Sequence, residues 1–390
     1  MQHRHIDKAL IAVLALIVML LGTACSQQPA HQTGTNSTPR GTGATPPPVS
    51  YLHLPPGFQA TLFTTGLQGP RFLTFGPDSA LFITERRTGR ILAFSDPHRS
   101  GTTNTPVVVA SGLHDPTSLS FAPDGSLYAG EADRVSRLTL GPDLRATRVQ
   151  VVVPHLPTGG NHTTRTVLIG PDKRLYVSIG CTCNNCIESD PQRATVWVYN
   201  SDGSGGRLYA RGLRNAVGMA VNPWNQRIWV TNNGRDLLGD NTPPETVYVL
   251  QDGGNYGWPL CQAGDIIDPD LGHPGDCNGV VQPLVKMQAH SAPLGLAFYT
   301  SLAFPLSYHG LFVAFHGSWN RTVPTGYKVV FIPLNAQGQV ASPVRDFATG
   351  WLTDTHQVFG RPVGLAVGPD GALYVSDDQG GNVYRIAYTG

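Results

Sequence analysis

The chain has 390 residues, with 45 Gly, 32 Pro, only 14% charged residues and a formal charge of +1 from 27 basic and 26 acidic side chains. So much glycine and proline with so little charge excludes a helical bundle and a polyelectrolyte-like disordered chain, and the balanced charge leaves no electrostatic footprint for nucleic acid or an acidic surface. Function must therefore come from a site.

The first 25 residues run from basic positions through an apolar stretch, Ala9 to Leu21, to small residues ahead of Cys25. That is the layout of a signal peptide. Leu21-Gly22-Thr23-Ala24-Cys25 resembles a bacterial lipoprotein processing box, with Gly22 where an aliphatic residue is usual. The expectation is a signal peptide over 1–24, a lipid on Cys25 and an extracytoplasmic, membrane-anchored protein; an ordinary secreted protein or an uncleaved anchor are the alternatives. Residues 25–50 are dominated by Gln, Thr, Gly, Ser and Pro, too poor in apolar side chains to fold, and read as a flexible tether. The folded domain is expected over 51–390.

Within that domain one phrase recurs: a Gly/Pro-containing lead-in, an apolar run, a Pro-Asp-Gly type turn and a second apolar run. Copies start at Gly66, Gly112, His162, Gly212 and Phe359, and a copy without the Asp-Gly turn starts at Ala292. Each reads as a hairpin of two half-buried strands. The first four recur roughly every 45 to 50 residues, room for about four strands per unit, which is the period of a β-propeller. The predicted fold is all-β, a six-bladed propeller. A β-sandwich with similar turns is the competing reading.

Beyond Cys25 the cysteines are Cys181, Cys183, Cys186, Cys261 and Cys277. Outside the cytoplasm pairing is expected, and the spacings favour Cys183–Cys186 and Cys261–Cys277, leaving Cys181 over. A metal knuckle of Cys181, Cys183 and Cys186 is the rival reading, but the sequence points to no fourth ligand. Ile187 stands where a haem attachment motif needs His.

In a propeller the segment that leads into the innermost strand of each blade lies at the channel mouth, so these positions converge. They carry Arg71, His162, Arg165, Arg214, Asn215 and Arg361, with His290 just ahead of the fifth copy. Cations around one axis point to an anionic ligand, and guanidinium forks suit planar carboxylates. Arg71 and Arg165 have a structural alternative, pairing with carboxylates such as Glu85 between blades. His162 follows Gly159-Gly160-Asn161 and is a candidate general base, the alternative being an unconnected surface His.

The phrases LPPGF at Leu54, ITERRTGRIL at Ile83, the His162 to Asp172 segment, GLRNAVGMA at Gly212, DGGNYGWP at Asp252, AHSAPLGLAFY at Ala289, FHGSWNRTVPTGYKV at Phe315 and GRPVGLAVGPDGALYVSDD at Gly360 together resemble one family. It is the glucose/sorbosone dehydrogenase group of pyrroloquinoline quinone-dependent sugar dehydrogenases, most closely its sorbosone dehydrogenase-like branch, over Leu54 to Ile386.

The resemblance implies a quinone lying flat over the channel with a Ca²⁺ ion against its carboxylate and carbonyl edge. By position it implies His162 as base and Arg214, Asn215 and Arg361 as cofactor-binding residues. Arg321 substitutes for a Lys of the family, and Trp319, with Trp258 and Tyr256, forms a wall for the ring, aromatic core packing being the alternative for each of the three. The chain departs from the glucose-oxidising members at Val217, where they have Gln. Where they have a Gly-Pro pair giving carbonyls to Ca²⁺, it has the loop from Asn232 to Glu245, and Asn233, Gly234 and Asp236 are the metal candidates there. The implied activity is oxidation of a sugar or a sugar-derived aldehyde or alcohol, with electrons passed to a respiratory acceptor. A Ca²⁺-dependent lactonase-like hydrolase and a non-catalytic cell-surface binding propeller are the alternatives from other classes.

Overall fold

A computed structural model describes residues 49–95 and 105–390. The expected signal peptide, Cys25 and nearly all of the tether lie outside the described residues.

The described residues form six sheets of at least four strands each, which are the six blades. Their innermost hairpins are Pro70–Phe75 with Leu81–Glu85, Ser118–Phe121 with Leu127–Gly130, Arg165–Ile169 with Leu175–Ile179, Ala216–Val221 with Ile228–Asn232, Pro293–Tyr299 with Gly310–Phe315, and Pro362–Val367 with Leu373–Asp377. Every repeated phrase is thus the inner hairpin of one blade. The ring closes where the strand Phe58–Thr64 supplies the outer edge of blade 6, Phe58 opposite Tyr388 and Ala60 opposite Ile386. The spacing stretches between the fourth and fifth copies because residues 250–284 are inserted ahead of the last strand of blade 4. That insertion carries a two-stranded hairpin, Cys261–Gln262 with Ile266–Ile267, and the Cys261–Cys277 disulfide.

The turns show why the phrase recurs. At Gly76-Pro77-Asp78-Ser79-Ala80 the backbone N–H of Gly76 donates to Ala80, that of Ser79 donates back to Gly76, and the Asp78 carboxylate accepts from Ala80. The same bonds recur around Asp124, Asp172 and Asp370. Proline presets the first turn residue, aspartate caps the turn through its side chain, and the next residue takes positive φ: 70° at Ser79, 83° at Gly125, 61° at Lys173 and 77° at Gly371.

The second strands are more buried than half-buried strands would be. Leu81–Glu85, Leu127–Gly130, Leu175–Ile179, Ile228–Asn232 and Leu373–Asp377 are buried at every position, because each blade is covered on both faces by its neighbours. A Ser or Thr at the penultimate position of four of them reaches the next blade. Thr84 donates to the Thr117 carbonyl, Ser178 to Ala216, Thr231 to Leu294 and Ser376 to Arg71. Blade 2 has Ala129 there, and Thr117 and Ser118 make the bond to the Arg165 carbonyl instead. These hydroxyls satisfy carbonyls that blade packing removes from water.

Candidate active site

Antiparallel pairing puts the start of each inner strand beside the end of the next strand: Pro70 opposite Glu85, Arg165 opposite Ile179, Ala216 opposite Asn232, Pro293 opposite Phe315, Pro362 opposite Asp377. The residues just outside both ends therefore share one face of the ring. That face carries the candidate residues, and the Pro-Asp turns lie at the opposite ends of the strands.

His162 is half-buried at the lip of blade 3. Its Nδ1 is 3.1 Å from both the backbone oxygen and the Sγ of Cys181, and its Nε2 has no hydrogen-bond partner among the described residues. Burial, then the nearby Arg214, and further out Arg193 and Arg165, lower its pKa to about 3. It is neutral at neutral pH and able to accept a proton. Gly180 lets His162 and Asn215 approach each other, since a Cβ there would stand 2.7 Å from the His162 Cβ and 2.6 Å from Asn215 Oδ1.

Arg214 is buried and held in a fork of acceptors. Its Nε donates to the Asn184 carbonyl (2.9 Å), Nη1 to the Gly234 carbonyl (2.7 Å), and Nη2 to Asn184 Oδ1 (2.9 Å) and Asp236 (3.0 Å). A guanidinium has five N–H donors, so one stays free. Asp236 lies 3.8 Å from His290 Nδ1, which in turn meets Asn320 Nδ2 at 3.4 Å. His290, placed by sequence near the axis, thus joins Arg214 through a carboxylate.

Blades 5, 6 and 1 meet in a second cluster. Asp378 accepts from Arg71 at 2.8 Å and lies 2.9 Å from His316 Nε2. Burial raises its pKa, but His316 and Arg71 outweigh that and hold it well below the carboxylate range. Burial lowers His316 to about 4 against the pull of Asp378. Arg361 donates to the carbonyls of His316 and Gly317, both at 3.0 Å, and lies over the Tyr327 ring. Beside this cluster is a cavity of about 310 Å³ lined by Gly69, Arg71, Arg86, Arg87, Asp115 and Asp378.

Two arginines have structural duties. Arg165 donates to the carbonyls of Pro157, His162 and Thr164, and Arg193 to those of Thr158, Gly159, His162 and Gly180. Together they cage the loop that presents His162, which corrects the reading of Arg165 as a ligand of the anion. Glu85, expected to pair with Arg71 or Arg165, is taken by Arg90, Thr88 and the Gln68 amide. Tyr256 is core, bonded to Val249 and packed on Tyr248, and Trp258 packs with Cys181 in a buried cluster. Trp319 is 72% exposed on the loop after blade 5's second strand. Arg321, on the same loop, donates to the carbonyls of Asp240, Ala289 and Val323. No hydrogen bond or ion pair joins either to His162, Arg214 or Arg361 among the described residues.

The metal candidates do not fit Ca²⁺ as they stand. The Gly234 carbonyl and the Asp236 carboxylate both accept from Arg214, and Asn233 Oδ1 accepts from Asn215 at 3.2 Å. Ca²⁺ takes six to eight oxygen ligands, and here two of the three candidate groups already accept from the Arg214 guanidinium, itself a cation, and the third from Asn215. The one group of at least three potential metal-ligating side chains among the described residues, Cys183, Cys186 and Glu188, has its sulfurs tied in the Cys183–Cys186 disulfide. Both predicted disulfides form, and Cys181 is free and buried.

Sequence reasoning missed Asp378, His316 and Arg193, and it did not connect Cys181 with His162. Each follows a second strand or lies in the loop after it, and the hairpin pattern was a signal that such positions face the same way as the strand starts.

A family model described as TrAA12-like matches residues 52–265 and 272–389. The pyrroloquinoline quinone-dependent pyranose dehydrogenase of Coprinopsis cinerea is 29% identical over 415 aligned positions, covering 87% of this chain and 55% of that protein. The pyrroloquinoline quinone-dependent sugar dehydrogenase of Hypocrea jecorina is 28% identical, covering 96% of this chain and 95% of that one. The holo form of the pyranose dehydrogenase PQQ domain from Coprinopsis cinerea superposes with a TM-score of 0.75 at 26% identity, over 89% of this chain and 99% of that structure. The chain spans 61% and 55% of the length of the first curated relatives it matches.

Proposed function

Since the chain belongs to the TrAA12-like family, we propose that it is a pyrroloquinoline quinone-dependent dehydrogenase that oxidises a sugar or a sugar-derived aldehyde or alcohol, of aldose or sorbosone type. The observation that carries this reading is the pairing, on one face of the ring, of a neutral half-buried His with partly uncommitted guanidinium groups. The relatives named above support the cofactor class.

The donor chemistry fits a flat polycarboxylate. Arg361 spends two of its N–H donors on carbonyls and keeps the rest, Arg214 keeps one, and the buried Arg71 Nε has no partner. Arg214, Asn215 and Arg361 would hold the quinone, with Trp319 and Arg321 on the rim loop as its outer cover. When bound, the quinone supplies the acceptor for the hydride of the substrate carbon. His162 accepts the hydroxyl proton of that carbon at Nε2. Arg214 and Arg361, fixed in advance by backbone carbonyls, stabilise negative charge without having to reorganise. No step is assigned to Ca²⁺, whose candidate oxygens are in use.

His316, paired with Asp378, is a second base on the same face, and the carboxylate partner favours considering it. The two disulfides support an extracytoplasmic setting, and a lipid on Cys25 would place the enzyme where its electrons can reach a respiratory acceptor.

The test is titration of the purified protein with pyrroloquinoline quinone, with and without Ca²⁺, followed by dye reduction with a panel of aldoses and aldehydes. Saturable binding and reduction by a sugar are expected; absence of binding under both conditions rejects the reading and moves the hydrolase and binding-module readings forward. His162→Ala should abolish turnover while cofactor binding persists. Loss of turnover in His316→Ala with wild-type rates in His162→Ala would transfer the base to His316.

A further inference from the structure

Cys181 is fully buried, unpaired and 19 positions after His162, yet its oxygen and its sulfur are both 3.1 Å from His162 Nδ1. Burial pushes the thiol up to about 12, and Glu188 adds to this against the pull of Arg214, so the sulfur carries its proton. That proton is committed, because the thiol donates to the Cys183 carbonyl at 2.9 Å. The groups facing Nδ1 are therefore a carbonyl oxygen and a sulfur lone pair, both acceptors. Only a protonated Nδ1 satisfies them, and in a neutral imidazole that leaves Nε2 bare.

We propose that Cys181 is the positioning residue of His162, an uncharged clamp that fixes the imidazole in the tautomer whose free nitrogen is Nε2. This rests on the reading of His162 as the base. Orientation of a catalytic or metal-bound His through its second nitrogen is commonly done by a carboxylate or a backbone carbonyl. Here the contact comes from a neutral thiol and its own carbonyl, in a setting that already holds three cations.

The charged groups around the ring are Arg214 from blade 4, Arg193 and Arg165 from blade 3, and Glu188 from the Cys181 loop. Glu188 is occupied, accepting from the Thr182 amide at 2.6 Å and the Thr182 hydroxyl at 2.8 Å. No carboxylate hydrogen-bonds to the imidazole among the described residues. An uncharged clamp therefore leaves an imidazolium unsupported, so a proton taken from substrate is readily released. A carboxylate in the same place would retain it.

The experiment is ¹⁵N NMR of the full chain labelled at histidine, with His162→Gln to assign the signal. At pH 7 the wild-type ring should show the neutral Nδ1–H form, persisting below pH 5. Cys181→Ser keeps a short acceptor and should keep that signature. Cys181→Asp places an anion at Nδ1 and should raise the His162 titration by at least about one pH unit, with the acid limb of the dye-reduction profile moving the same way.

An Nε2–H ring or an imidazolium in the wild type at pH 7, or an unmoved titration in Cys181→Asp, overturns the proposal. If Cys181→Asp does not fold, the wild-type and Cys181→Ser spectra decide the case. The expected tautomer together with wild-type turnover in His162→Ala would reject the base reading and leave the positioning intact; the wrong tautomer with turnover abolished would do the reverse.

Discussion

Asp378→Asn tests whether the seam of the propeller is held by charge. Asp378 belongs to blade 6 and bonds Arg71 in blade 1 at 2.8 Å and His316 after blade 5 at 2.9 Å, so one carboxylate ties the last blades to the first. The side chains of Arg71 and Asp378 are 8% and 20% exposed, which leaves little water to replace a lost partner. Two unit charges about 4 Å apart attract by about 4 kcal/mol at an effective dielectric of 20, and breaking a buried pair from one side typically costs about 3–5 kcal/mol. Asn keeps the shape and an acceptor oxygen, so the expected loss is near the lower figure, about 3 kcal/mol by chemical denaturation.

The pH dependence has a defined sign. The folded pKa of Asp378 is depressed, so its contribution is fully present above the unfolded value of about 3.9 and disappears as pH falls through the folded value. Wild type should therefore lose stability below about pH 4 faster than the variant does. Arg71→Met combined with Asp378→Asn removes both charges and should recover part of the loss. A single-variant loss under about 1 kcal/mol, or a double variant worse than the sum of the singles, would show that Arg71 is solvated and the argument wrong.

Gly180→Ala should weaken quinone binding and turnover at least tenfold with little change in fold, because its methyl would force His162 and Asn215 apart; unchanged titration would mean they do not act together. Lys173→Gly relieves a non-glycine residue at φ 61° and should stabilise the protein by about 1 kcal/mol in a melt. Glu245 is buried and its pKa is raised to about 8, so stability should be highest below its unfolded pKa and fall as pH rises toward 8. Its two oxygens accept from Gly234 and Ala292, so Glu245→Gln loses one acceptor and some stability at every pH, but the slope between pH 5 and 8 should flatten. An unchanged slope would assign it to another group.

The fold was legible because the inner hairpin of every blade repeats its own requirements. Pro and Asp set each turn, and the Ser or Thr near the end of four second strands bridges to the next blade. What could not be read locally was the closure, since nothing in Phe58–Thr64 marks it as the partner of Asn382–Tyr388 more than 300 residues away. Edge strands are chosen by what they cover, and that choice is made by the whole ring.

The site was legible by half for a related reason. Strand starts stood out because Arg214, Asn215 and Arg361 break an apolar pattern. Strand ends did not, because Asp378 sits in a run, SDDQGG, that reads as an ordinary turn, and Cys181 reads as one cysteine of a loop. Residue type alone also left Arg165 open between an anion ligand and a structural partner of a carboxylate; its guanidinium faces loop carbonyls instead. A cation at a channel mouth is therefore not yet a ligand-binding cation. What separates Arg361 from Arg165 is access: Arg165 is completely buried among the carbonyls of its own loop, whereas Arg361 is only partly buried and spends two of its five N–H groups, a difference set by the loops of neighbouring blades and so visible only once those loops are in place.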